Sequence, residues 1–168
     1  LLPAKQVLDF CESVSNKTIV FSDEAYYGYI EESNYPSMVE LVKKGKNVIV
    51  SKTLSKIYGL AGIRVGYLIA KPEIAEKLSE RIVANINMMA IEAGKAALMD
   101  DEFYNFSLKK NLEARKSIER TLGNLGLTYL PSQANFVFFD AKRDVIKLGE
   151  QMLNKGIIIG RPFPPFMD

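Results

Sequence analysis

The sequence has no histidine and no tryptophan, and it has a single cysteine, Cys11, among 168 residues. The absence of histidine excludes histidine triads, histidine metal ligands and histidine general bases. Lysine, tyrosine and the carboxylates are then the side chains left for proton transfer. One cysteine excludes an internal disulfide and a cysteine metal cluster, so we expect no metal site.

Charge of one sign and long apolar runs are also scarce. The formal net charge is +2, which gives no reason to expect nucleic acid or an anionic membrane as a partner. No apolar run approaches the length that spans a bilayer. The chain starts Leu1-Leu2-Pro3, without an initiator methionine or a signal peptide, and cytoplasmic location is the default expectation.

An unusual connection between two apolar runs is the most informative part of the chain. Residues Asn47–Val50 and Gly66–Ala70 are typical of buried strands, and lysine, hydroxyl, glycine and arginine residues lie between them. A desolvated lysine forms Schiff bases with carbonyls, and the planar fork of arginine suits a phosphate. Together these groups are what a pyridoxal 5'-phosphate site requires. The spacing alone fits a surface loop with a lysine and an arginine equally well.

An acidic residue follows an earlier predicted strand, Thr18–Ser22. Asp23 would lie at the carboxyl end of that strand, where open α/β sheets bind ligands. A carboxylate there could keep a pyridine nitrogen protonated, and Tyr26 could bond a phenolic oxygen. Taken alone, an aspartate after a strand is more often a cap or turn residue. Three neighbours are interpreted as flanking or surface residues: Glu24, Tyr27 and Tyr29.

The segment Ser51–Tyr67, SKTLSKIYGLAGIRVGY, resembles the cofactor-lysine segment of fold-type I pyridoxal-phosphate-dependent aminotransferases of classes I and II, most of all the histidinol-phosphate aminotransferases and their relatives. The earlier segment DEAY is similar to their Asp-x-x-Tyr. By this resemblance Lys56 forms the Schiff base and moves the substrate proton, Asp23 is the partner of the pyridine nitrogen, and Tyr26 is the partner of the phenolic oxygen. The resemblance assigns the cofactor phosphate to three residues: Thr53, Ser55 and Arg64.

Periodicity and turn residues predict further elements along the chain. Helices are expected at Pro3–Val14, Met38–Lys44, Pro72–Asn85, Met88–Met99, Asp101–Leu122 and Arg143–Asn154. Later strands are expected at Leu127–Leu130, Ala134–Phe139 and Gly156–Ile159. This order of elements with short connections indicates an α/β fold.

The resemblance implies a domain organisation. Residues 1–110 would be the C-terminal part of the cofactor-binding large domain, a mostly parallel sheet with helices, and residues 111–168 part of a small C-terminal α+β domain. In the second region, SQANF resembles a small-domain Ser-x-Ala-Asn-Phe, so Asn135 is a candidate substrate-binding residue. A hydrogen-bonding residue at a strand start is an equally good interpretation of Asn135. Arg161 is a candidate for an anionic group of the substrate.

The resemblance also implies a function. It predicts transfer of an amino group between an amino acid and a 2-oxo acid, in a homodimer that the apolar helix Met88–Met99 could help to form. The residues correspond to about the C-terminal half of such an enzyme, so we expect a fragment with weak or absent catalysis by itself. Two alternatives stay open: a lyase that uses the same cofactor on the same fold, and a folded domain that binds no cofactor.

Overall fold

A computed structural model describes residues 1–83, 85–160 and 164, and the chain divides into two compact units. The first unit consists of Leu1–Leu112 together with Gln133–Asn135. The second consists of Glu113–Ser132 and the described residues from Phe136 onward. The assignment of residues 1–110 and 111–168 to a large and a small domain stays a prediction.

The first unit holds most of the regular structure. Its helices are α1 (Ala4–Val14), α2 (Val39–Lys43), α3 (Pro72–Ser79), α4 (Met88–Leu98) and the first half of α5 (Asp101–Asn124). Its strands are β1 (Val20–Asp23), β2 (Val48–Thr53) and β3 (Gly66–Ala70). Two short 3-10 helices cover Tyr27–Tyr29 and Ala61–Ile63.

The three strands form one sheet in the order β1-β2-β3. β1 pairs with β2 in parallel, with Asp23 opposite Ser51, and β2 pairs with β3 in antiparallel, with Lys52 opposite Tyr67. Because side chains alternate between the two faces of a strand, Ser51 and Thr53 share one face of β2 and Lys52 lies on the other. The expected α/β class is confirmed, with one parallel and one antiparallel pair of strands in the sheet.

The main buried cluster of the first unit lies on one face of the sheet. Side chains from α1, α2, β1 and β2 make up a buried cluster: Cys11, Val20, Met38, Leu41, Val48 and Val50. These valines occupy even positions of β1 and β2, so Lys52 shares their face. The odd positions are less uniform: Ile49 on β2 is 8% exposed, whereas Phe21 on β1 is 60% exposed. The face that carries Asp23 and Ser51 is therefore the more open one.

In its described residues, the second unit contains one strand pair and one helix besides the end of α5. β4 (Tyr129–Leu130) and β5 (Phe138–Phe139) are antiparallel, and α6 covers Val145–Leu153. Asp144 caps α6, because its carboxylate accepts hydrogen bonds from the backbone nitrogens of Ile146 and Lys147. Gly126, at φ 65°, lets the chain turn directly after α5.

Several expected elements are shorter than predicted. The helix from Pro72 ends at Ser79 rather than Asn85, before a stretch with β-branched residues that lower helix propensity. The strand expected at Ala134–Phe139 is reduced to β5, and the carbonyl of Ala134 accepts a hydrogen bond from the side chain of Asn111. The strand expected at Gly156–Ile159 is wrong: those residues are irregular.

Candidate functional site

The loop after β2 presents Lys56 between two buried neighbours. Leu54 and Ile57 are 2% and 3% exposed, and they fix the loop to the first unit. The backbone nitrogen of Gly59 donates to the carbonyl of Lys56 at 2.9 Å, and Gly59 adopts φ 68° to close this turn. Glycine reaches that conformation without the steric cost that other residues meet. The turn therefore holds Lys56 at a defined place while its side chain stays partly exposed.

Asp23 lies at the carboxyl end of β1 with one oxygen engaged. Its Oδ1 accepts hydrogen bonds from the hydroxyl of Ser51 at 3.0 Å and from the backbone nitrogen of Ala25 at 3.0 Å. Among the described residues no hydrogen bond reaches Oδ2. Two donors on one oxygen fix the orientation of the carboxylate, and its exposed position leaves the other oxygen open to a ligand.

Lys56 and Tyr26 meet on the loops that follow β2 and β1. The Lys56 Nζ atom lies 5.0 Å from the centre of the Tyr26 ring. Such an ammonium–ring contact is a weak attraction at a partly exposed position. The Tyr26 side chain is 36% exposed, so an amine and a phenol share an accessible position beside Asp23. The sequence predicted all three residues, and the structure brings them to neighbouring loop ends.

Arg64 and Ser55 form a second polar group on the same loop. The Arg64 Nη1 donates to the Ser55 hydroxyl at 3.3 Å and to the carbonyl of Ala61 at 2.7 Å. Arg64 has left-handed backbone, φ 62° and ψ 53°, which is strained for a side-chain-bearing residue. Thr53 Oγ1 accepts from the backbone nitrogen of Ser55 at 3.1 Å, which fixes the turn. A guanidinium and a hydroxyl this close suit an anion such as phosphate.

The surface interpretation of Glu24 is wrong, and Glu24 is instead a neighbour of Asp23 with a buried side chain. Its carboxylate side chain is only 7% exposed and pairs with Lys52 at 2.8 Å. It also accepts from the Ser37 hydroxyl at 2.7 Å and from the backbone nitrogen of Met38 at 2.7 Å. The Lys52 Nζ lies 4.3 Å from the centre of the Tyr27 ring. Glu24 therefore connects β1, β2 and the start of α2 beneath the open face.

The same correction applies to the tyrosines beside it. Tyr29 is 4% exposed, and Tyr27 donates its hydroxyl to the carbonyl of Tyr35 at 2.9 Å. Together with Lys52 and Glu24, phenol side chains line a cleft of about 160 Å³: Tyr27, Tyr58, Tyr67 and Tyr104. Burial raises the pKa of each of these four phenols above its ordinary value. They stay protonated at neutral pH and serve packing and hydrogen bonding.

The two remaining predicted residues have different outcomes. Asn135 belongs to the first unit by packing, and its side chain is exposed. Its neighbour Gln133 contacts the loop at Glu31 and Glu32. Arg161 lies outside the described residues. Sequence reasoning missed Gln133, whose only signal was its place inside the SQANF segment.

The described residues also bear on metal binding and on membrane insertion. Within residues 1–83, 85–160 and 164, no group of three or more cysteine, aspartate or glutamate side chains is arranged to hold a metal ion. None of the helices in that part of the chain is both long and apolar enough to span a bilayer.

Comparison with known proteins identifies the family. Residues 1–166 match the family model described as aminotransferase class I and II. The chain is 41% identical over 152 residues to a histidinol-phosphate aminotransferase of Moorella thermoacetica, covering 89% of this chain and 39% of that protein. It is 40% identical over 157 residues to the one of Bdellovibrio bacteriovorus, covering 92% and 42%.

A solved structure agrees with the sequence relatives. The histidinol-phosphate aminotransferase of Sinorhizobium meliloti, in complex with pyridoxal-5'-phosphate, superposes with a TM-score of 0.85 at 31% identity. The alignment covers 98% of this chain and 46% of that one. The chain belongs to the class I and II aminotransferase family. It spans about two fifths of the length of the curated relatives it matches.

Proposed function

We propose that the protein containing this chain is a pyridoxal-phosphate-dependent aminotransferase. It would transfer an amino group between an amino acid and a 2-oxo acid, with histidinol phosphate as the first amino donor to test because the relatives carry that name. The contact of the Lys56 amine with the Tyr26 ring carries the proposal, and the oriented carboxylate of Asp23 and the hydrogen bond between Arg64 and Ser55 support it.

The donor set fits pyridoxal phosphate group by group. The cofactor has an aldehyde, a pyridine nitrogen, a phenolic oxygen and a phosphate, and it withdraws electrons from a bound amino acid. The Lys56 amine suits the aldehyde, and the open oxygen of Asp23 suits a protonated pyridine nitrogen. The Tyr26 hydroxyl would bond the phenolic oxygen. Arg64, Ser55 and Thr53 would hold the phosphate.

Proton transfer falls to Lys56 in this proposal. Histidine is absent from the chain, and a lysine amine that is released when substrate binds can take the α-proton and return it to another carbon. Asp23 would orient the ring throughout. Tyr26, in contact with the Lys56 amine, would keep that amine directed towards the reacting atoms.

Covalent labelling tests the proposal. The purified protein is incubated with pyridoxal phosphate, reduced with borohydride and mapped by peptide mass spectrometry. A single pyridoxyl adduct is expected on Lys56, and Lys56→Ala should abolish it. Lys52→Arg is the matched control, because Lys52 lies four positions away on the same segment but on the covered face, and arginine keeps the pair with Glu24 without forming a Schiff base. An adduct that persists in Lys56→Ala would contradict the assignment.

The reaction is tested by following absorbance changes of the protein loaded with pyridoxal phosphate and by identifying the products. The amino donors are histidinol phosphate, L-glutamate, L-aspartate and L-phenylalanine, each with a 2-oxo acid acceptor. Formation of the new amino acid supports a transferase. Release of pyruvate and ammonia from L-cysteine or L-serine, which carry a leaving group on Cβ, without an acceptor would instead support the lyase alternative.

A homodimer, a cytoplasmic location and a contact through α4 belong to the same proposal. Ala90 and Gly94 of α4 face the core, while Met88 and Met89 are 66% and 77% exposed. These exposed methionines support α4 as a contact between subunits. Sedimentation of Met88→Glu beside the parent protein tests that contact, since a buried charge should shift the dimer to monomer.

A further inference from the structure

We propose that Gln133 is a positioning residue that ties the segment Gln133–Asn135 to the loop at Glu31 and Glu32, and thereby holds Asn135 ready for the amino donor. The inference rests on the proposed function, which makes Asn135 a substrate-binding residue. Gln133 itself does not touch substrate in this account.

The side-chain amide of Gln133 uses both of its ends. Its Oε1 accepts a hydrogen bond from the backbone nitrogen of Glu31 at 2.8 Å. Its Nε2 donates to Oε1 of Glu32 at 3.2 Å. A primary amide offers an acceptor and a donor on one planar group, whereas a carboxylate only accepts and an ammonium only donates. The amide of Gln133 therefore matches both partners at once.

A second tie holds the same segment from another element. The Nδ2 of Asn111 on α5 donates to the carbonyl of Ala134 at 3.3 Å. Gln133–Asn135 accordingly packs with Leu1–Leu112, although the residues before and after it in the chain belong to the other unit. Two hydrogen-bonded neighbours thus fix the backbone directly before Asn135.

The loop to which Gln133 is tied has a firm base. It follows the 3-10 helix Tyr27–Tyr29, whose Tyr29 is 4% exposed. The hydroxyl of Tyr104 on α5 donates to the carbonyl of Gly28 at 3.0 Å, which anchors the same turn. Tyr26, at the start of this turn, carries the contact with Lys56. The Gln133 contact therefore fixes the segment with Asn135 against the same turn that carries Tyr26.

The side chain of Asn135 is available for binding a ligand. Its side chain is exposed, and no hydrogen bond of its amide is found in the described part of the chain. An amide that no packing contact requires can bond a polar group of a substrate. Contact between this amide and a substrate then depends on the position of the preceding backbone, and Gln133 fixes that position.

Amide hydrogen exchange tests the tie itself. Exchange of the Glu31 backbone amide is followed by NMR in the parent protein and in Gln133→Ala. Loss of one hydrogen bond of ordinary net strength should accelerate that exchange by about fivefold. The swapped pair Glu32→Gln with Gln133→Glu reverses donor and acceptor between the two side chains and should restore slow exchange. Unchanged exchange in Gln133→Ala would overturn the inference.

Kinetics test whether the tie acts through Asn135. With the most active donor of the panel above, Gln133→Ala should raise KM by about fivefold and leave kcat within about twofold. In an Asn135→Ala background the same change should have no further effect, because the residue it positions is gone. Additive effects of the two substitutions, or no effect of Asn135→Ala on KM, would overturn the inference.

Labelling at Lys56 separates this inference from the proposed function. The Gln133→Ala variant should still form the pyridoxyl adduct, since Gln133 contacts none of the residues assigned to the cofactor. No adduct in the parent protein would refute the proposed function. An adduct in the parent, with additive kinetics of the two variants, would refute the role of Gln133 alone.

Discussion

The ion pair between Glu24 and Lys52 allows a stringent test of how much a covered charge pair contributes to the free energy of unfolding. Glu24 makes three contacts of 2.7–2.8 Å, to Ser37, Met38 and Lys52, with its side chain 7% exposed. Removal of one partner from a buried pair costs about 3–5 kcal/mol, because the other charge is left without compensation. Lys52 is 22% exposed and can recover some hydration, so we expect the lower end of that range.

The perturbation is Glu24→Ala, followed by urea unfolding at pH 7. The free energy of unfolding should fall by about 3 kcal/mol. Glu24→Gln keeps an acceptor for the Met38 nitrogen and should cost about half as much. Glu92→Gln is the matched control: Lys95 and Glu92 are also 2.8 Å apart, but their side chains are 67% and 61% exposed. An exposed pair contributes at most about 1 kcal/mol.

Two results would refute this reasoning. A loss below about 1 kcal/mol in Glu24→Ala would mean that burial of the pair does not govern its contribution. A loss in Glu92→Gln equal to that in Glu24→Gln would mean that the distance between the charges, and not their burial, sets the contribution of an ion pair to the free energy of unfolding.

Three other outcomes follow from the structure. Gly66→Ala should lose about 1–3 kcal/mol in urea unfolding, because a Cβ there would lie 2.7 Å from the carbonyl oxygen of Lys52, whereas the control Gly62→Ala meets nothing within 4 Å. Arg64→Gly should gain about 1 kcal/mol of stability by relief of left-handed backbone, and should retain pyridoxal phosphate more weakly in dialysis than the parent protein. Burial raises the pKa of Tyr104. The stability that its protonated phenol contributes is therefore complete below the unfolded pKa of about 10 and is lost as the pH rises through the folded pKa. The urea midpoint of the parent protein should fall above about pH 10, and that of Tyr104→Phe should fall less.

Much of the site could be predicted because its signals are local. The segment around Lys56 is continuous, and the turn that presents it is closed by its own residues, such as Gly59. Asp23 is fixed by its neighbour Ala25 and by the adjacent strand, so the end of an apolar run was enough to find it. Their roles towards a cofactor stay predictions that labelling can decide.

The features that were missed depend on contacts between distant parts of the chain. Nothing near Glu24 in sequence indicates that Ser37, Met38 and Lys52 surround its carboxylate. A glutamate is rarely buried without such partners, so an exposed position was the reasonable expectation. The contact of Asn111 with the carbonyl of Ala134 is equally distant in sequence and was equally missed.

The alternation of side chains along β2 separates two kinds of mutational effect by a single residue. Lys52 lies on the covered face, where it pairs with Glu24. Ser51 and Thr53 lie on the opposite face, next to the loops that carry the candidate site. In a saturation scan of this strand, changes at position 52 should reduce the amount of folded protein, and changes at positions 51 and 53 should leave abundance near normal while reducing cofactor retention. A selection for yield and a selection for activity would then act on adjacent codons with little conflict, so chemistry at this strand could change in evolution without loss of the fold.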